Sequence, residues 1–153
     1  MIDNPYASSL DAKILSATPL ELVNLLYQAA IEAVQAARHH LVRGEIAQRG
    51  RSIMRAVELL TELAKSLNHE KGGELSVRLA AIYDYSQRTL LDANFRQTDD
   101  GLAEVENLLK TLQDAWSNIE SSRTAAPADA NSGSYGASAR GDYAPRVAQQ
   151  WCA

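Results

Sequence analysis

Residues 72–94, GGELSVRLAAIYDYSQRTLLDAN, put apolar side chains on two opposite sides of one helix. Leu75, Leu79, Ile82, Leu90 and Ala93 recur at three- and four-residue spacing, with Ser86 in the remaining slot, and line one side. Val77, Leu91 and Phe95 fall on the other, interrupted by Asp84 and Arg88, while Tyr83 and Tyr85 flank the first side. One face must pack in a core. The second requires a separate use.

The rest of the chain supplies partners for the first face. Thr18-Pro19-Leu20-Glu21 combines an N-cap hydroxyl, a proline in the first turn and a glutamate three residues after the cap. That is the capping box with a preset first turn. The helix it opens runs to about Arg43, with one stripe of Val23, Tyr27, Ala30, Val34, Ala37 and Leu41 and a second of Leu22, Leu26, Ala29, Ala33 and Ala36. Gly44 suits the position just past its end. A second helix is expected from about Glu45 to Asn68, its core stripe being Ile46, Ile53, Val57, Leu60, Ala64 and Leu67. Its outer face, Arg51, Arg55, Glu58, Glu62 and Lys65, mixes signs and reads as solvated. The third helix is expected from Gly73 to about Arg96. The fourth runs from about Asp100 to Glu120, on Leu102, Val105, Leu109, Leu112, Trp116 and Ile119, with Thr98, Asp99 and Asp100 as cap choices.

The four runs are similar in length and their connections are short, so sequential neighbours should be antiparallel. The expected fold is all-α, an antiparallel four-helix bundle over 18–120. Residues 1–17 form an N-terminal arm, in which Ile2, Tyr6, Leu10 and Ile14 recur at four-residue spacing. From Ser121 the chain turns to Ala, Ser and Gly without helical period, and 121–153 reads as a flexible, disordered C-terminal tail whose Val147 and Trp151 could dock.

Bulk chemistry excludes several functions. The net charge of −4 gives no electrostatic reason to bind nucleic acid or an anionic membrane. No apolar run approaches ~18 residues, so no membrane insertion is expected. The single cysteine, Cys152, allows no internal disulfide and suits a reducing cytoplasm. The opening MIDNPYASSL lacks the basic and apolar regions of a secretory signal. A four-helix bundle can hold a di-metal centre through Glu-x-x-His pairs. No glutamate here is followed three residues later by histidine, and His39, His40 and His69 lie near helix ends. No Gly-rich phosphate loop follows a strand, and Cys152 lacks a base partner. The chain is therefore read as a binding protein rather than an enzyme, with no cofactor. Three occupants are open for the extra face of helix 3: the arm, a second copy of the chain, or a foreign amphipathic helix.

TPLELVNLLYQAA at 18–30 and GGELSVRLAAIYDYSQRTLLDAN at 72–94, with Asn4-Pro5-Tyr6 before them and Trp116 after, resemble the flagellin export chaperones of the FliS family. The likeness spans roughly Asn4 to Glu120. It implies a cytoplasmic helical chaperone that binds the C-terminal region of flagellin, blocks premature polymerisation and passes the subunit to the type III flagellar export gate. Ser9 stands where the family often has a second arm tyrosine, and the tail lies outside the family pattern. With that guest in view, Tyr6 is the candidate arm anchor. Tyr27, Val77, Ile82, Tyr83, Tyr85, Leu91, Asn94 and Phe95 are groove candidates, and Arg88 sets register. Each tyrosine is equally compatible with the core. A homodimer of the unliganded chain is the competing arrangement.

Overall fold

The computed structural model describes residues 17–125, so the arm with Tyr6 and the tail with Val147, Trp151 and Cys152 lie outside the described residues. Four helices follow in order: α1 (Pro19–Val42), α2 (Ile46–Lys65), α3 (His69–Arg96) and α4 (Asp100–Thr124). The capping box at α1 forms as its spacing predicts. Glu21 N–H donates to Thr18 Oγ1 at 3.3 Å, and Thr18 N–H donates to Glu21 Oε2 at 2.6 Å. Gly44, at φ 70°, reverses the chain after α1 in the left-handed region that glycine adopts without a Cβ clash.

α2 stops three residues earlier than expected. Asn68 leaves it to become the N-cap of α3, accepting at 3.1 Å from the Lys71 N–H. α3 therefore starts at His69, one turn before the expected Gly73. At Gly73 the backbone departs from helical angles (φ 52°, ψ −130°) and resets the direction of the long run that follows. The Asp99 side chain caps no N–H of α4. Its carboxylate is instead held by Arg38 across the bundle, at 2.7 Å.

The helices form a ring in chain order, with α1 against α2 and α4, and α3 against α2 and α4. α1 and α3 lie diagonally opposed and meet through Tyr27 and Tyr83. Cross-helix hydrogen bonds fix the antiparallel sense. Asn24 meets Glu120, Gln35 meets Glu106, and Arg38 meets Asp99 along α1 and α4. Arg49 meets Asn94, and Gln87 meets Thr61, along α2 and α3.

The core holds Tyr27, Leu60, Tyr83, Leu90 and Leu109 near its centre, all almost without exposure. Two expected core positions fail. Ile46 is the first residue of α2 and is exposed. Leu75 is also exposed, because the buried face of α3 is centred on Ser76, Leu79, Tyr83, Ser86 and Leu90. That rotation brings the Tyr83 hydroxyl to Tyr27, whose hydroxyl also accepts from Trp116 Nε1 at 3.1 Å. Three large polar-tipped aromatics thus fill the middle of the bundle with their polar atoms satisfied.

The α1–α4 seam carries the strongest electrostatics. Glu106 is buried and accepts from Arg38, Lys110 and Gln35 at 2.7, 2.6 and 2.9 Å. Burial alone would raise its carboxyl, but the bonds from Lys110, Gln35 and Arg38 outweigh it and hold the group at about 2, below its ordinary 4.5. A lowered carboxyl contributes stability in full above its unfolded value and loses it as pH falls through the folded value. The contribution, on the order of 3 kcal/mol, is thus complete above about pH 4.5 and disappears toward about pH 2. Glu106→Gln should flatten the stability profile across that window, measured as urea midpoints at a series of pH values. An unchanged profile would remove Glu106 from the account.

Candidate docking site for a helical partner

The ten candidate residues do not share one surface. Tyr27 and Tyr83 are core residues. Tyr83 is 2% exposed and shares a hydrogen bond with Tyr27, so neither is available to a partner in this arrangement. Tyr85 is the exposed member of the Tyr-Asp-Tyr run, but it turns toward α4, where its hydroxyl donates to Glu104 Oε1 at 2.5 Å. That carboxylate raises the Tyr85 phenol above its ordinary value. Ile82 is half-buried. Asn94 is drawn inward, its Oδ1 accepting from Arg49 Nε at 3.0 Å. Arg88 is exposed and pairs with Asp84 at 3.0 Å, while its other expected partner, Asp92, pairs with Arg96 at 2.9 Å. Tyr6 lies outside the described residues.

Three candidates are accessible. Val77, Leu91 and Phe95 stand on the outer α2-facing side of α3, and Phe95 is 87% exposed. The Arg49–Asn94 and Gln87–Thr61 bonds set Leu91 and Phe95 beside the α2 stretch that carries Gly50 and Met54, with Val77 several turns further along α3. Ile46 and Met54 are exposed too. Exposed apolar side chains thus flank the α2–α3 junction, with the Arg49–Asn94 bonds beneath them. An amphipathic helix with anchors at three- and four-residue spacing fits such a seam.

The sequence reading missed the α2 half. Ile46 had been placed in the core, and Met54 and Arg49 had no role. Arg49 is 3% exposed, and its guanidinium also reaches the Asn94 carbonyl at 3.4 Å, one of the orphan acceptors at the end of α3. A clue was available. Arg49 lies four residues before Ile53, on the stripe that enters the core.

A second apolar groove, of about 840 Å³, runs on the other side of α2. Leu22, Leu25, Leu26, Ala29 and Leu59 line it, Pro19 closes one end, and Arg55, Glu62 and Lys65 edge it. Neither seam offers catalytic geometry. Among the described residues no group of His, Cys, Asp or Glu could hold a metal ion, and no helix is long and apolar enough to cross a membrane.

The family model described as flagellar protein FliS matches residues 2–123. The chain belongs to the FliS family. This FliS-family member is 35% identical over 112 residues to the flagellar secretion chaperone FliS of Salmonella typhimurium, covering 72% of this chain and 83% of that protein. It is 32% identical over 123 residues to the protein of the same name from Bacillus subtilis, covering 80% and 91%. Pseudomonas aeruginosa has a flagellar secretion chaperone FliSB that is 32% identical over 111 residues, covering 72% and 88%. The matched span takes in all four helices and stops within the last turn of α4, so the seam belongs to the shared bundle and the tail does not.

Proposed function

We propose that this chain is a cytoplasmic flagellar secretion chaperone. It binds the C-terminal helical segment of flagellin, keeps the subunit from polymerising early, and delivers it to the type III export apparatus. The observation that carries the reading is the exposed apolar pair Leu91 and Phe95 beside Met54, on a bundle that belongs to the FliS family. A flagellin terminus that folds only on the chaperone loses several kcal/mol to ordering, so a large contact surface is compatible with release. No covalent chemistry is needed. The protein acts by covering surface. Arg88, free to swing from Asp84, sets register at the rim of the seam.

The arm joins this scheme through the second groove. Pro19, two positions after residue 17, lines that groove together with Leu22, Leu25 and Leu26. With Tyr6 as anchor, the arm would occupy that groove at a roughly millimolar effective concentration. Light scattering on a sizing column tests the reading. Addition of the flagellin C-terminal peptide should give a 1:1 complex. A dimer of the chain that ignores the peptide would instead make the seam a contact between copies.

A further inference from the structure

A pocket of about 490 Å³ opens between the start of α1 and the end of α4. Glu21, Asn24, Leu25 and Gln28 of α1 line it together with Gln113 and Glu120 of α4. Its amide groups already donate to protein oxygens. Asn24 Nδ2 donates to Glu120 Oε2 at 2.6 Å, Gln113 Nε2 to Gln28 Oε1 at 2.9 Å, and Gln28 Nε2 to Glu32 Oε1 at 2.8 Å. Asn24 Oδ1 is left buried with no hydrogen-bond partner. A buried acceptor that gives up water and gains no donor is costly. Glu21 and Glu120 add two carboxylates, and no lysine or arginine stands among the described residues that line the pocket. The lining is therefore rich in acceptors and negative in charge, and Leu25 gives it an apolar wall. A group that fits carries several donors, a positive charge and an apolar stem, which describes a lysine or arginine side chain.

Chain connectivity selects the source. Ala17, where the described chain begins, lines the same pocket. Lys13 lies four residues earlier and is the single lysine or arginine in residues 1–17. Four residues span at most about 14 Å, so Lys13 stays near the pocket whatever path the arm takes. Arg140, the nearest basic residue of the tail, stands fifteen residues past Ala125. The longer tether lowers its effective concentration at the pocket. We propose that Lys13 seats its ammonium in this pocket, against Glu21, Glu120 and Asn24 Oδ1, and so pins the root of the arm to the α1–α4 edge. Leu25 also lines the groove between α1 and α2, so an arm held here starts beside that groove. The latch is a property of the chain alone and needs no flagellin.

Hydrogen exchange of the full chain, without flagellin, tests the latch. Lys13→Glu and Glu120→Lys should each speed exchange of the amides of residues 12–17 by about 5-fold. The two together should bring it back to within about 2-fold of the unmodified chain. Lys13→Ala, which leaves the bundle untouched, should show the same loss of about 5-fold. The melting temperature should move by no more than about 2 °C in each case. Exchange over residues 12–17 as fast in the unmodified chain as in a free peptide of residues 1–17 would overturn the proposal. So would a paired variant that stays as unprotected as Glu120→Lys alone, which would assign the pocket to another cation. If the arm is indifferent to every substitution while Glu120→Lys weakens the flagellin C-terminal peptide, the pocket takes a cation of the guest. Lys13 is then refuted and the chaperone reading stands.

Discussion

Tyr27→Ala should remove about 3–5 kcal/mol of stability, the largest effect of any single truncation considered for this bundle. A domain of this size has on the order of 5–15 kcal/mol in total, so the variant should be largely or marginally unfolded at 37 °C. Tyr27 is wholly buried, its ring centroid lies 6.3 Å from that of Tyr83, and its hydroxyl accepts from Trp116 at 3.1 Å. Truncation opens a cavity where α1, α3 and α4 converge and removes the acceptor of a buried indole N–H. Tyr27→Phe separates the two losses. It keeps the ring and should cost about 1–3 kcal/mol. Urea unfolding followed by circular dichroism measures both. A stable Tyr27→Ala protein that has lost partner binding would return Tyr27 to the docking surface.

The second large effect is on binding. Leu91→Ala combined with Phe95→Ala should weaken the flagellin peptide on the order of 100-fold, taking about 1–2 kcal/mol for each buried anchor. The melting temperature should move by no more than about 2 °C, because Leu91 is already 45% and Phe95 87% exposed without a partner. Calorimetric titration beside a thermal melt separates affinity from folding. Tyr85→Ala is a useful contrast. Tyr85 leans on Glu104 of α4, so its loss should affect the guest less than loss of Phe95. The reverse order would move the site to the α3–α4 side.

Much of this architecture was legible from local pattern. The Thr18–Glu21 box depends on a spacing of three, and Gly44 on a single backbone preference, so both were readable without tertiary context. The four helices followed from periodicity, with ends displaced by no more than about one turn. Pattern fixes a face but not its centre. Leu75 and Ser76 differ by one step around α3, and only the meeting of Tyr83 with Tyr27, 56 positions earlier, decides which turns inward. Residues whose roles depend on distant partners were the ones missed or misplaced. Asp99 looked like a helix cap until Arg38, 61 residues away, claimed it. Arg49 had no local reason to enter the core until Asn94 supplied its acceptors. The proposed docking face was half legible for the same reason. Val77, Leu91 and Phe95 declared themselves as apolar side chains on the outer side of a helix, whereas Ile46 and Met54 join the proposed face only because α2 lies beside α3.

Hydrogen exchange of the full chain, with and without saturating flagellin C-terminal peptide, tests the seam most directly. The account predicts added protection on α2 around residues 46–57 and on α3 around residues 87–96, with the α1–α4 seam at Glu106 unchanged. Protection that leaves both stretches untouched while the peptide is bound would place the guest elsewhere and contradict the assignment.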